Sequence, residues 1–494
     1  MRVMKNLLSC SIVCLIVICS CKKDQIITDK SAGIAFSADT VLFDTILTSI
    51  GSVTKRFKIY NPHSEAIVIK DLYVGGGTSS YYKINVDGTP GNSHKDIKIA
   101  GKDSLYVFVQ VTIDPLSSNS PMLINDSVVC LTNGNMQNIK LVAFGQDVNL
   151  FKNKIFKTQT WTSQKPYLIY NNAAIDSNEV LTIEAGTKIF FNNNSSLLVW
   201  GRVEAKGTLE NPIVFSGDRF DAPYNQTAGQ WGTIYFDPKS TGNLMDHVII
   251  KNSTAGLQVG YAGSIKIPAV ELRNCMILNA SIYGILGIDA DITAYNTIVA
   301  DCGFYALALI NGGNYNFLHC TISNISSYAP SFFSSEGFKP RSTPSILVAN
   351  NMLWQKLDEN FNIVNVTYHN EVKAFNFYNS ILYGILSQEI LFSDDKKTAL
   401  NYKFDHSLIT NNKDSLNYTD ANHFVSIILN KNPQFKNDSI SRGEYNFQLD
   451  SLSPAIDSGS IEVIKDIPQV QQDFNGKSRT VDGKPDLGAF ERYE

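Results

Sequence analysis

The 494-residue chain is 44% hydrophobic and only 18% charged, with 42 basic against 46 acidic side chains and a formal net charge of −4. Such a length exceeds one ordinary core, and the apolar content is ample to fill more than one. A net negative charge offers no field for a polyanion, and no zinc-finger or phosphate-loop spacing is present, so nucleic acid is not an expected partner.

Arg2 and Lys5 precede an apolar run from Leu7 to Ile18, short for a bilayer span and followed by the small residues Cys19-Ser20. Residues 1–20 therefore read as an export signal. Ile18-Cys19-Ser20-Cys21 resembles a lipobox, with Cys19 where Gly or Ala is commoner, and the resemblance implies that Cys21 is the lipidated first residue. Lys22-Lys23-Asp24 opens a polar tether over residues 21–30 and resembles the charged tag that sends some lipoproteins to the cell surface. The expected address is the outer membrane, held by lipid and facing the cell surface, with the periplasm-facing leaflet as the alternative.

Residues 31–150 carry alternating runs such as Lys55-Arg56-Phe57-Lys58-Ile59-Tyr60, Tyr82-Lys83-Ile84-Asn85-Val86 and Leu105-Tyr106-Val107-Phe108-Val109, separated by Gly, Asn, Pro and Ser. About seven short strands at this spacing predict an Ig-like β-sandwich. Gly75-Gly76-Gly77 reads as a turn, because no helix pattern follows it to cradle a phosphate. Tyr60-Asn61-Pro62 together with Val111-Thr112-Ile113-Asp114-Pro115 resembles sandwich modules that precede β-helices in surface lipoproteins, which implies a spacer role.

Residues 151–450 repeat. An Asn or His followed three residues later by Ile, Val or Leu recurs at His247, Asn274, Asn296, His319, Asn350, Asn379 and His406, at spacings of 27, 22, 23, 31, 29 and 27 residues. A period in the twenties means stacked units. The segments are short, β-branched and broken by Gly, Asn and Ser, so each unit is a coil of strands. Phase locates the bend: Val270 and Leu272 alternate towards one face, yet Ile277 lies an odd step beyond, which regular pleating cannot accommodate. Asn tolerates the left-handed conformation such a bend needs. The residues two before the ladder (Met245, Leu272, Ala294, Phe317, Val348, Phe377, Phe404) and three after it (Ile250, Ile277, Val299, Ile322, Leu353, Leu382, Ile409) should then be interior. The three ladder histidines read as structural.

These Asn-x-Ile units resemble right-handed parallel β-helix repeats, the pectate-lyase-like superfamily that includes other polysaccharide-acting proteins. Leu181-Thr182-Ile183-Glu184-Ala185-Gly186-Thr187-Lys188-Ile189 and Leu198-Val199-Trp200-Gly201 resemble the opening coils of such helices in surface lipoproteins of the Bacteroidota type. Ser453-Pro454-Ala455-Ile456-Asp457-Ser458-Gly459, Asp473-Phe474-Asn475-Gly476 and Asp486-Leu487-Gly488-Ala489-Phe490-Glu491 are similar to their terminal anchor, which makes residues 451–494 the expected cap. The predicted fold is all-β: an Ig-like β-sandwich, then a right-handed parallel β-helix with a C-terminal cap.

Chemistry is sparse in this sequence. Beyond Cys21, the cysteines Cys130, Cys275, Cys302 and Cys320 read as small buried fillers; Cys275 and Cys320, two coils apart in one column, stand roughly 9–10 Å from each other, beyond disulfide reach. No Cys/His spacing suits zinc, so neither a metal, a cofactor nor a catalytic residue is predicted. Asp289 and Asp291 share a strand face as Ca²⁺ ligands would, although a solvated face explains them better. The insertions Ser326–Pro344 and Gln355–Lys373 should project from neighbouring coils; the first carries Tyr328, Phe332, Phe333, Glu336, Phe338, Lys339 and Arg341, a candidate sugar-stacking loop. No base-plus-cation constellation for a lyase is visible, and a glycosidase's carboxylate separation needs coordinates. The reading is a lipid-anchored envelope protein that binds polysaccharide or another surface macromolecule and leans away from enzyme. Its alternatives are a polysaccharide lyase or glycoside hydrolase, and an adhesin or spacer. Cys21→Ala is expected to abolish lipid labelling and move the protein from the membrane to the soluble fraction; unchanged labelling contradicts the anchor.

Overall fold

The computed structural model describes residues 25–493 except 116–120, 326–327, 330–338, 358, 360, 413–415 and 438–444. Cys21 and the loop residues Phe332, Phe333, Glu336 and Phe338 lie outside the described residues. The protein is almost entirely β, and it divides into two compact units, one up to Asp147 and one from Val148.

The first unit contains two five-stranded sheets. One is ordered Ala35–Phe36, Lys55–Tyr60, Ser104–Val111, Tyr82–Val86, Thr89–Pro90; the other Thr40–Leu47, Asn135–Gln146, Met122–Thr132, Ile67–Val74, Ser93–Ile99. Period-2 alternation decides what each sheet buries. Phe57, Ile59, Ile84, Val107 and Val109 from the first and Phe43, Leu72, Val128 and Leu141 from the second share one apolar cluster. Each such side chain contributes about 1.5–3 kcal/mol by leaving water. Pairing is antiparallel except where Thr40–Leu47 runs parallel to Asn135–Gln146.

Among the described residues the second unit is dominated by a 24-stranded sheet in which strands pair in parallel with those one coil onward. A first column stacks Val180–Glu184, Arg202–Lys206, Asn243–Asp246, Ala269–Arg273, the later halves of Tyr283–Tyr295 and Tyr305–Leu318, then Val372–Tyr378 and the start of Lys403–Ile409. A second column runs from Lys188–Phe191 through Met276–Leu278 to Ile381–Gly384. The third, from Ser196–Val199 to Ile390–Ser393, completes each coil. Met245, Leu272, Ala294, Phe317, Phe377 and Phe404 form one buried row and Ile250, Ile277, Val299, Ile322, Leu382 and Ile409 another. Aromatic rings fill both ends of this interior: Trp161 and Tyr167 stack at 4.6 Å beside Phe156, and Phe404 and Phe424 lie 5.4 Å apart beside Tyr402 and Tyr418. Cys130, Cys275, Cys302 and Cys320 are free and buried, and burial pushes the Cys275 thiol up to about 12, so it packs as an apolar group.

Between the first and second columns the chain bends at His247, Asn274, Asn296, His319, Asn379 and His406, with φ of 49°, 49°, 47°, 51°, 46° and 46°. These are the left-handed values the odd step demanded. His247 and His406 pair with the adjacent Asp246 and Asp405, whereas the other four side chains take part in links from coil to coil: Asn274 Nδ2 donates to Asp246 Oδ1 at 3.2 Å, Asn296 Nδ2 to Asn274 Oδ1 at 3.1 Å, and Asn379 Nδ2 to His319 Nε2 at 3.0 Å. Burial, with Arg479 nearby, holds His319 well below the ordinary histidine range, so the ring is neutral and can accept that bond.

Asn350 is a correction. Leu318 pairs with Tyr378, so His319 stacks directly on Asn379, and Asn350 follows a third-column strand in which Val348 pairs with Leu309. Its amide donates to Asp394 Oδ1 at 2.8 Å and Thr398 O at 2.9 Å. Leu353, expected inside, is 64% exposed because the chain leaves the coil there as the antiparallel hairpin Asn351–Leu357 with Ile363–His369.

The C-terminal segment also departs from expectation. It runs along the flank of the middle coils, against the ladder. Asn296 Nδ2 donates to Gln472 O at 2.9 Å, Arg479 Nη2 to Asn296 Oδ1 at 2.9 Å, and Asn379 exchanges two bonds of 2.9 Å with Ser460. Outward apolar residues of the second column, Leu278, Ile298, Ile381 and Leu408, are buried under Phe435, Phe447, Leu487 and Phe490. Arg479 is wholly buried and paired with Glu491 at 3.0 Å; burial raises the Glu491 carboxyl to about 8 and that of Asp486 to about 6. Asn296→Leu places a side chain without an amide at φ 47° and removes one of the three acceptors of the buried Arg479 Nη2 along with the donor to Gln472 O, so urea unfolding should show a loss of about 3 kcal/mol. Leu353→Ser on the exposed hairpin should cost under ~0.5 kcal/mol. Equal losses would contradict the ladder.

Candidate functional site

Alternation that sends the residue two before each ladder position inward sends those one and three before it outward. The outer face of the first column therefore carries Asp246, Arg273, Tyr295, Leu318, Tyr378 and Asp405 in one row and Leu244, Glu271, Thr293, Asn316, Asn376 and Lys403 in the other. Leu318 is buried beneath Ile464 and Val470, and the short helix Ile461–Ile464 with Ile467 walls one side. The result is a groove of about 400 Å³ lined by Tyr295, Asn316, Tyr378, Lys403 and Asp405.

Its polar groups are tied to one another. Tyr378 OH donates to Asn376 Oδ1 at 3.0 Å, and Asn376 Nδ2 donates to Asn316 Oδ1 at 2.8 Å. Lys403 Nζ lies 3.1 Å from Asp405 Oδ2 and 5.9 Å from the centre of the Tyr378 ring, while Arg273 Nε lies 2.5 Å from Glu271 Oε1. Partial burial raises the Tyr295 and Tyr378 hydroxyls, and the hydrogen bond to Asp405 raises Lys403. All three keep their protons at neutral pH, so they can donate bonds but cannot take a proton from a substrate. Asp405 Oδ1 also holds His406 Nδ1 at 2.6 Å. His406 opens onto a neighbouring cavity of about 580 Å³ that includes Ser426, Asp457 and Lys484.

Of the loop residues proposed from sequence, Tyr328 and Lys339 lie on strands of a two-residue antiparallel pairing. Arg341 is corrected: its side chain is 1% exposed and forks onto Glu389 at 2.7 and 3.0 Å, with further bonds to Thr343 O and Asn324 O. Glu389 in turn accepts from Ser345 and Leu386. Arg341 bolts the insertion to the coil and cannot face a ligand; truncating it would leave Glu389 buried without its partner, a cost of about 3–5 kcal/mol. An arginine in a polar loop reads as surface, and only a fold can reveal a buried partner 48 positions away.

Asp289 and Asp291 do not share a face. A register slip between Ile288 and Ala290 turns Asp289 into a left-handed corner of φ 52°, where Asn370 Nδ2 donates to it at 2.8 Å. Burial raises both carboxyls, against Lys373. Among the described residues no cluster of three or more His, Cys, Asp or Glu is placed to hold a metal. Sequence reasoning missed Tyr295, Asn316, Asn376, Tyr378 and Lys403, yet the signal was present: the two outward rows follow from the same register that located the inward ones.

This geometry defines a large all-β protein with a long parallel sheet and a grooved outer face. No family model matches the chain, and no curated protein matches it significantly. Among solved structures it is similar over 24% of its length to a family 123 glycoside hydrolase from Clostridium perfringens, at 7% identity and a TM-score of 0.18, and covers 30% of that chain. It is similar over 24% of its length to the E. coli chaperone DraB, at 11% identity and a TM-score of 0.17, covering 55% of that chain. The chain thus spans less than a third of the hydrolase and about half of the chaperone, and likenesses this slight carry no argument.

Proposed function

We infer that the chain is a lipid-anchored envelope protein whose coils form a right-handed parallel β-helix and whose first-column face binds glycan. The observation that carries this reading is the groove itself. The half-buried rings of Tyr295 and Tyr378 line it and supply apolar surface to a sugar, and the Asn316–Asn376–Tyr378 chain offers fixed donors and acceptors to its hydroxyls. Side chains already held by one another lose little entropy on binding. The Ig-like unit serves as a spacer between the lipid on Cys21 and the coils, and the protein sits in the outer membrane facing the cell surface.

Catalysis is the second reading, and one observation favours it: Asp405 holds His406 as an acid holds a general base, at the mouth of a cavity. The remaining groove residues argue for binding, since the tyrosines and Lys403 stay protonated. The test is retention of the full chain on a panel of neutral and acidic polysaccharides, with product analysis. At least one glycan should be retained without release of unsaturated sugars or new reducing ends, and Tyr378→Ala should weaken retention about tenfold, or ~1.4 kcal/mol. Retention untouched by Tyr378→Ala contradicts the groove, and products lost in His406→Ala establish the enzyme.

A further inference from the structure

A second concavity, of about 600 Å³, lies where the third column turns into the first in the early coils. Trp200 stands in it. Strand Ser196–Val199 buries Leu197 and Val199, so alternation turns Trp200 outward, where it is half-buried and packs into none of the apolar clusters of the described residues. Its backbone is held firmly. Trp200 N and Gly201 N both donate to Ile175 O, at 3.1 and 3.2 Å. A Cβ on Gly201 would sit 2.2 Å from Glu179 O and 2.4 Å from Asp176 O, so only glycine fits beside the indole. A tryptophan fixed at a turn yet unused by the core is placed for contact with something else.

Cations converge on the same hollow. Arg202, Lys239 and Lys266 come from successive coils, about 4.8 Å apart along the stack. The acids nearby are already engaged. Glu179 accepts from Thr158 N at 2.8 Å and Thr158 Oγ1 at 2.5 Å, with Lys157 at 3.6 Å. Glu204 sits between Arg202 at 2.9 Å and Lys206 at 2.8 Å, and Asp237 accepts the Lys239 backbone N–H at 3.0 Å. The side chains of Lys239 and Lys266 enter no ion pair among the described residues, so two unneutralised charges face the cavity of a protein whose net charge is −4. Ser177, Asn178 and Thr241 add hydroxyl and amide groups to the wall.

We propose that this concavity binds an acidic oligosaccharide, with one ring on the Trp200 indole and carboxylates of successive rings on Arg202, Lys239 and Lys266. An indole face, a row of cations and neutral hydrogen-bonding groups match the three chemistries of such a chain: an apolar ring face, repeated anions and hydroxyls. The proposal is independent of the tyrosine groove, which lies in later coils and lacks unpaired cations.

Tryptophan fluorescence of the full chain carrying Trp354→Phe tests it, because Trp354 on the hairpin is 42% exposed and would add its own signal, whereas Trp161 and Trp231 are 1% and 0% exposed and report little of the solvent. Titration with a galacturonate tetrasaccharide should give a saturable change that weakens with added salt, and an uncharged galactose tetrasaccharide should give none. The change should vanish in Trp200→Ala, weaken at least tenfold in the double variant K239Q/K266Q, whose side chains are exposed, and persist in Tyr378→Ala. No saturable change, an equal response to the neutral sugar, full affinity in K239Q/K266Q, or equal binding of a thymidine tetranucleotide would each overturn the proposal. Failure of the tyrosine groove would show separately, as neutral-glycan retention indifferent to Tyr378.

Discussion

Six residues at one corner hold φ between 46° and 51°, a region that costs most side chains about 1–3 kcal/mol and that Asn and His occupy more readily than bulky or β-branched residues. That corner lets a coil alternate correctly on both sides of an odd step, so Leu272 and Ile277 can both face inward. Without the bend, one of the two columns would turn to solvent along its length. The short amide also reaches the next coil, where Asn296 meets Asn274 and Asn379 meets His319. Asn274, Asn296, His319 and Asn379 therefore answer a backbone demand and a hydrogen-bonding demand together.

Such a corner leaves donors and acceptors pointing outward, and the C-terminal segment answers them. Gln472, Ser460 and Arg479 supply partners to Asn296 and Asn379, and Gly488 N donates to Asn379 O at 2.8 Å. The same segment covers the outward apolar residues of the second column and, through Ile464 and Val470, buries Leu318 on the first. Structure and site meet there: the helix that covers Leu318 is also the wall of the tyrosine groove. The far ends of the apolar interior are filled by aromatic rings instead, which removes the need for the segment to act as a plug.

Much of this was legible because period-2 alternation and the Asn/His spacing are local properties. Around the six residues other than Asn350, the rows two before and three after the ladder are interior, and the left-handed bends fall where phase required. Asn350 was misread because Val348-Ala349-Asn350-Asn351-Met352-Leu353 matches the local frame while its strand belongs to another column. Arg341 was misread because its bidentate partner Glu389 lies 48 residues away. The flank position of residues 451–493 depends on bonds spanning as many as 183 residues, as between Arg479 and Asn296, which no local pattern encodes. The groove rows were recoverable, since inward and outward rows are one statement.

The central claim is that the C-terminal segment secures the ladder from the flank, and hydrogen exchange on full-length Arg479→Ala tests it most directly. The amides of Asn296, His319 and Asn379, which donate to Leu318 O, Tyr378 O and Asp405 O, should lose protection about a hundredfold, while those of Arg202–Lys206 and Ile213–Gly217 keep theirs. Unchanged protection at the three ladder amides, or a loss confined to the last coil Phe424–Leu429, would contradict it.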